Sequence, residues 1–422
     1  MTSLFAGACY EVMSDEPPAP RRPASPDGSP VGSRYLNRKW SGPRGDGLLV
    51  DPAQGGAPAP DDPAIVEARA YYASVGTLET RPGTPAPASW GDWLTAFGVP
   101  DAAPGEARPA YRARTGTAVF YNQNETALGH ELGCQQFPAP SGEGTPSAGV
   151  ACFLLNYGKA NDRELSLPRA RNGDERISSF GITYRPGFKP DGQDGYEVQF
   201  YAYGADGRRL DWAQLDTLGP RPVPQVCLGC HGGWYDEGRH LARFARFLPL
   251  HVDNLDFAYA DQAPHDSREG QEEALRALNV LVARTPLTPR QRTALEDAYQ
   301  GDPSQAGRVY HEVIPEGWRG DPEHEALYKR VVLPFCASCH DAEWLDNDGD
   351  EKSFYAGFAS YDGFLSLAPL GSVCGSFSMP NAQAGSARFW APSAEGSSPA
   401  DAFLAAFGRT RDDCPGPAEQ GD

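Results

Sequence analysis

From Asp15 to about Pro60 apolar residues are sparse among Pro, Gly, Asp and Ser, and the first sustained pattern begins at Asp62-Pro63. A stretch this polar buries too little surface to offset the entropy of ordering, so residues 10–62 are expected to be a disordered Pro/Gly-rich linker. Asp62 as a cap with Pro63 in the first turn predicts a short helix carrying Ile65, Ala68, Tyr71, Tyr72 and Val75. A second short helix is expected over 90–97. The period then changes. Segments 118–121, 150–157, 177–184 and 196–203 are rich in Val, Ile, Phe and Tyr and are separated by Gly, Pro and Asn turns. They predict a small antiparallel β domain. In the last segment Val198 and Phe200 alternate with Glu197 and Gln199, which predicts one buried and one solvated face.

Beyond Cys230 the pattern reads as helical. Asp266 with Glu269 predicts a capping box for a helix bearing Leu275, Leu278, Leu281 and Val282 and stopping before Pro286. Thr288 with Gln291 starts another, ended near Gly301. Asp321-Pro322 starts a third, with Leu327, Val331 and Val332 inward, running directly into Cys336. A last helix begins at Ser398-Pro399, carries Phe403, Leu404 and Phe407, and ends at Gly408. The fold class is therefore α+β. A helical lead-in and antiparallel β domain (63–222) precede a mainly helical region (223–318) and an all-α C-terminal domain (319–414). Residues 415–422 form a tail. A chain of 422 residues has room for two or three such units.

Two pentapeptides carry the chemistry: Cys227-Leu-Gly-Cys230-His231 and Cys336-Ala-Ser-Cys339-His340. This spacing suits attachment of a c-type haem, with two thiols forming thioethers to its vinyl groups and the adjacent imidazole binding iron. Four cysteines in two pairs are also zinc donors, but the pairs lie far beyond the ribbon spacing of about 15–20 residues. A thioredoxin-like redox pair needs neither the repeat nor the following His. Two covalently attached haem c groups are therefore the expected cofactors. Cys227, Cys230, Cys336 and Cys339 would attach them, and His231 and His340 would be axial ligands.

Of nine cysteines, the motifs use four and leave Cys9, Cys134, Cys152, Cys374 and Cys414. Cys134 and Cys152 flank a Pro/Gly/Ser loop between strand-like segments, so a disulfide closing that loop is expected. Cys374 and Cys414 bracket the last segment and are expected to form another. Disulfides and haem attachment of this kind both belong to an exported compartment, the periplasm or cell envelope. Residues 1–9 end in small residues before Cys9 and resemble the tail of a bacterial lipoprotein signal, without its basic n-region or a full apolar core. A tether through a lipidated Cys9 is one reading and coincidence the other. No run reaches the roughly 20 apolar residues of a membrane span. The formal charge of −19 argues against nucleic acid. Redox partners with a basic docking patch are easier to accommodate, although the charge also serves solubility.

Residues 321–414 resemble a class I cytochrome c domain: a helix leading into Cys336-Ala-Ser-Cys339-His340, then Ser378-Met379-Pro380-Asn381-Ala382, then a closing helix. In that family the Met of a Met-Pro turn is the sixth iron ligand, so the resemblance implies Met379 here. Of three methionines, Met1 and Met13 lie in the leader. A wider stretch resembles a group of exported bacterial dihaem cytochromes. The shared fragments include Phe120-Tyr-Asn-Gln, Leu128-Gly-His-Glu-Leu-Gly-Cys134, Asn156-Tyr-Gly, Phe200-Tyr-Ala-Tyr, Arg221-Pro-Val-Pro-Gln-Val-Cys227, Phe247-Leu-Pro-Leu and Ile314-Pro-Glu-Gly-Trp318. This resemblance implies no established activity. The order of a β domain before Cys-x-x-Cys-His also resembles cytochrome P460, with no matched cross-linking residue. Asp346-Asn-Asp348-Gly-Asp350 resembles the start of a calcium loop. It lacks the later Gly and the twelfth-position carboxylate, where Gly357 stands, so a solvated acidic turn is expected.

For the first haem no methionine remains. His240 and His251 are nearest to His231 along the chain, within a basic-aromatic stretch, and His240 is the candidate sixth ligand. Three functions are compatible with these residues. The first is a dihaem electron carrier exchanging electrons with periplasmic donor and acceptor proteins. The second is a haem enzyme, peroxidase-like, with an open first haem fed by the second. The third is a ligand-binding or sensor module. No Ser-His-Asp arrangement or phosphate loop points to hydrolysis or nucleotide use.

Overall fold

The computed structural model describes residues 59, 61–79, 86–103, 105–138, 148–213, 221–305, 312–342, 358–367, 369–375, 380, 383–392 and 396–416. Helices α1 (Pro63–Glu79), α2 (Trp90–Ala96) and α3 (Arg108–Thr115) lead into strands β1 (Ala118–Asn122), β2 (Leu128–Phe137) and β3 (Gly149–Tyr157). Helix α4 (Arg163–Asn172), β4 (Arg176–Tyr184) and β5 (Val198–Gly204) follow. The five strands form one sheet in sequence order, each antiparallel to its neighbour.

Both edges of this sheet are closed by side chains. On β5 the Tyr71 hydroxyl accepts from Phe200 N–H at 2.7 Å and donates to its carbonyl at 3.0 Å, while Tyr72 Oη accepts from Ala202 N–H at 3.1 Å. On β1 the Gln271 amide does the same for Val119, at 2.6 and 2.8 Å. Free strand edges invite pairing with other chains, and these contacts remove that option.

The expected solvated face of β5 is not found: every residue of the strand is buried. One face packs on α2, where Trp90 and Trp93 stack with centroids 5.0 Å apart and Trp93 lies 6.4 Å from Tyr201. Gln199 is buried and satisfied, its Nε2 donating to the carbonyls of Tyr196 and Ala242 at 2.7 and 3.1 Å. The opposite face carries cross-strand rows. Cys134, Cys152, Ile182 and Phe200 are in register, and so are Leu132, Leu154, Phe180 and Ala202.

Strand β2 was absent from the expected set of four. Its apolar rhythm is broken by Gly129, Gly133 and Glu131, yet Glu131 is fully buried against the Arg108 guanidinium of α3. Gly129 is required by close approach: a Cβ there would lie 2.1 Å from the Ser166 carbonyl oxygen of α4. Glycine in a strand marks such an approach as often as it marks a turn.

After the sheet come a short ribbon, β6 (Trp212–Ala213) with β7 (Arg221–Pro222), then α5 (Gln225–His231), and a hairpin of β8 (Trp234–Asp236) and β9 (Leu241–Arg243). The region after Cys230, expected to be mainly helical, therefore begins with non-helical structure. No α-helix occurs from 232 to 271; α6 (Glu272–Val282) and α7 (Pro289–Tyr299) come later. Asp266 does not cap α6. Its carboxylate is held by Arg112 Nη2 at 2.6 Å and Arg171 Nε at 2.8 Å. Two guanidinia, Arg112 buried and Arg171 partly exposed, outcompete a helix N-terminus for one carboxylate. The Thr288–Gln291 capping box of α7 forms as expected.

A single core runs from Tyr71 to Tyr299, so the sheet and the first Cys-x-x-Cys-His segment share it and the 222/223 boundary separates no cores. A second core spans Trp318 to Cys414. Its described elements are α8 (Pro322–Leu327), wound onward as π-helix through Tyr328–Ala337 into Ser338–His340, then α9 (Tyr361–Ser366), a π-turn at Gly371–Gly375, α10 (Gln383–Trp390) and α11 (Pro399–Ala406). Asp321 and Ser398 cap α8 and α11 as expected. Both expected disulfides, Cys134–Cys152 and Cys374–Cys414, are formed. The architecture is mixed α+β. No described helix is long and apolar enough to cross a membrane.

Arg112 and Asp266 are 5% and 9% exposed at their side chains, so removing one partner strands the other charge. Asp266→Ala is expected to lower unfolding free energy by about 3–5 kcal/mol. The exposed Asp261→Ala is the control in urea titrations, and equal midpoints for the two would refute this.

Candidate functional site

The spacing Cys227, Cys230, His231 puts the three side chains on one face of α5, since positions three and four apart neighbour each other on a helix. All three line one cavity. Its free space, open mouth included, is about 1500 Å³. One wall is the sheet face with Leu132, Leu154, Phe180, Ile182 and Phe200; the others come from Phe247–Leu250, α6 and the motif itself.

Segment 247–250 has no regular structure, and side-chain amides hold it. Asn279 Oδ1 accepts from Leu250 N–H at 2.8 Å, and Gln291 Nε2 donates to the Phe247 carbonyl at 2.7 Å. Buried backbone groups must be satisfied somewhere, and here α6 and α7 supply the partners.

His231 is half-buried, 5.1 Å from the Phe200 ring by centroids. Its Nδ1 lies 2.7 Å from the Arg246 carbonyl oxygen, while the His231 carbonyl accepts from Arg246 N–H at 2.8 Å. A carbonyl only accepts, so Nδ1 carries the proton and Nε2 presents its lone pair. Burial pushes the imidazole down to about 4, against a smaller opposing pull from that carbonyl. The ring is therefore neutral at pH 7. This is the state a metal-binding histidine requires, with its second nitrogen anchored to backbone. Gly233 makes the anchor possible. Its φ is +72°, and a Cβ there would sit 2.3 Å from the Arg243 carbonyl oxygen, so only glycine lets the 243–246 segment pass this close.

Cys227 and Cys230 are unbridged thiols, and burial pushes the Cys227 thiol up. Cys336 and Cys339 are unbridged too, and burial raises Cys336 to about 12. Among the described residues, no three or more His, Cys, Asp or Glu side chains converge as a metal-binding group. His340 is buried with its ring stacked 4.6 Å from Phe358. Segments Ser338–His340 and Gln225–His231 approach to Cα separations within 8 Å, and Ser338 reaches the wall of the first cavity.

Asp341, directly after His340, joins the two regions. It is fully buried, accepts from His251 Nε2 at 2.8 Å, and pairs with Arg290 Nε of α7. Burial alone would raise this carboxyl, but Arg290 and the His251 hydrogen bond outweigh it and hold it below its ordinary range.

The expected residues fall into three groups. Cys227, Cys230 and His231 are brought together, and the second motif lies beside them. His240 is not among the residues lining the cavity. It sits at φ +53° in the β8–β9 turn, half-buried, with Nδ1 within 3.1 Å of Glu67 Oε2 and 3.2 Å of Tyr235 Oη. Met379, Cys9 and residues 346–350 lie outside the described residues.

Sequence reasoning passed over His130. It is buried on the cavity face of β2, and its Nε2 is 2.6 Å from Thr126 Oγ1. Strand alternation through Leu128, His130, Leu132 and Cys134 is the signal that would have placed it there.

No family model, no curated protein and no solved structure matches this chain.

Asp341→Asn removes the charge that compensates the buried Arg290. We expect a loss of about 3–5 kcal/mol in unfolding free energy, against a near-neutral Asp362→Asn at an exposed position of α9. A urea midpoint unchanged from the control would rule out this role for Asp341.

Proposed function

We propose that this protein is a dihaem c-type cytochrome that transfers electrons in the bacterial cell envelope. The observation that carries the reading is His231: neutral, anchored through Nδ1, with Nε2 unprotonated and two thiols on the same helix face, all in one apolar cavity. These residues fit a covalently held haem c. The haem supplies a reversible one-electron change at iron. The protein's part is to fix the imidazole through Arg246, exclude water with the sheet face, and keep charge away from the metal position.

The second motif is the other haem site of this proposal, with His340 as one ligand and Met379 as the other. A neutral thioether there favours ferrous iron and raises the potential. The helical elements around it support a cytochrome c-like C-terminal domain. Motif segments within 8 Å of each other at Cα give electrons a short passage between sites. The two disulfides favour an oxidising compartment, the periplasm, where a lipid on Cys9 would tether the chain. Periplasmic donor and acceptor proteins with basic docking patches would complement the net charge of −19.

The mass of protein made in a host that attaches c-type haem tests this. The full chain is expected to carry two haems; Cys227→Ser/Cys230→Ser and Cys336→Ser/Cys339→Ser are each expected to carry one. A product with the mass of bare polypeptide ends the proposal. In a redox titration Met379→Leu is expected to lower one midpoint and leave the other nearly unchanged. If both stay in place, Met379 is not the ligand.

A further inference from the structure

We propose that the second haem site is completed from outside its own core, with Arg290 of α7 as a positioning residue: its guanidinium offsets the buried Asp341 carboxylate beside His340 and so raises the potential of the haem held there. This rests on the haem reading above and extends it from the residues that attach the second haem to those that set its potential.

Three groups from segments of the first core converge on Asp341. Thr288 Oγ1, at the N-cap of α7, donates to the Asp341 backbone carbonyl at 2.7 Å. Two residues on, Arg290 Nε pairs with one carboxylate oxygen, and His251 Nε2 lies 2.8 Å from the other. Leu287 and Leu295, before and after this turn, and Val252 beside His251 are buried in the first core. The Thr288 hydroxyl also accepts from Gln291 N–H at 3.1 Å, so the cap that starts α7 fixes where Arg290 stands. Among the described residues, the carboxylate's hydrogen bonds go to His251 and Arg290, and neither belongs to the C-terminal core.

A ring contact brings the same guanidinium near the axial imidazole. Phe358 stacks on His340 with centroids 4.6 Å apart and planes 18° from parallel. The guanidinium carbon of Arg290 lies 5.8 Å from the centroid of that Phe358 ring. Together these contacts place the guanidinium within about 10 Å of the imidazole, near enough for a buried charge to act on a group that changes charge.

The sign of the effect follows from the charges. The Arg290 and Asp341 side chains are 9% and 0% exposed, so water and salt screen them little. Oxidation adds one positive charge at iron. A nearby carboxylate favours that change and lowers the potential, whereas a guanidinium opposes it and raises the potential. As a pair the two largely cancel, and removing either leaves the other uncompensated. At an effective dielectric constant of about 20, unit charges about 10 Å apart shift a one-electron equilibrium roughly tenfold.

Redox titration of the full dihaem protein tests this, the second haem's midpoint being the one lost in Cys336→Ser/Cys339→Ser. Arg290→Gln is expected to lower that midpoint by roughly 59 mV, a tenfold change in the ferrous-to-ferric ratio for one electron. Asp341→Asn is expected to raise it by a similar amount. Arg290→Lys, which keeps the charge, and Arg292→Gln, at an exposed position of α7, are expected to leave it near the parent value. The double variant Arg290→Gln/Asp341→Asn carries neither charge and is expected to stay within about twofold of the parent ratio. It strands no lone buried charge, so it remains informative where a single variant does not accumulate. Single variants that move the midpoint in the same direction, or leave it in place, overturn the inference, as does a double variant displaced tenfold. Two attached haems in those samples leave the dihaem proposal standing. A chain with no haem attached ends both readings.

Discussion

A five-stranded sheet with apolar residues on both sides must find cover for each face, and this chain covers them unequally. Trp90, Trp93 and Phe97 close one face by direct ring contact. The other face, with Leu154, Phe180, Ile182 and Phe200, is walled at its rim and left with an interior space. Side-chain caps from Tyr71, Tyr72 and Gln271 satisfy the sheet edges, so the strands stay a discrete unit. Leaving such apolar surface facing an empty space forfeits dispersion contacts and hydrophobic gain. A large apolar prosthetic group attached beside β5 would restore both. On this reading the attached group completes the core, and folding and attachment are linked.

The position of His231 depends on how the chain turns back after it. Gly233 lets the segment from Arg243 to Arg246 run against the motif, and the Arg246 carbonyl then fixes the imidazole's tautomer. A carbonyl partner leaves the ring neutral, where a carboxylate would have added charge near the metal position. With the proposed haem attached, that difference would favour its ferrous state, because uncompensated positive charge on iron is costly in an apolar cavity.

Some of this was legible in the residues. The two Cys-x-x-Cys-His motifs, both disulfides and the caps at Ser398, Thr288 and Asp321 rest on local spacing, which a sequence displays directly. What escaped reading rests on partners distant along the chain. The strand through Glu131 was not among the expected segments, and its carboxylate is buried only because Arg108 pairs with it from a separate helix. Asp266 looked like a cap because its guanidinium partners at positions 112 and 171 lie far upstream. His240 was favoured by nearness to His231 in sequence, whereas the hairpin turns it toward Glu67. His130 sits far upstream of the motif, and only the sheet register carries it to the same cavity.

The two motif regions belong to separate cores, yet they are not free to move apart. Asp341 is buried beside His340 and is bound by His251 and Arg290, both from the first region. Asn254 adds a second tie, its Nδ2 donating to the Leu333 carbonyl at 2.7 Å. A surface ion pair would be too weak and too easily screened to hold two bodies in register. A buried carboxylate with two basic partners is different, because separation would expose three groups to partial solvation without restoring their pairing. If the two motifs carry the proposed haems, this fixed separation would set the rate of electron exchange between them. The same bond places His251 on the wall of the first cavity and Asp341 against the second motif, so one buried tie reaches both regions.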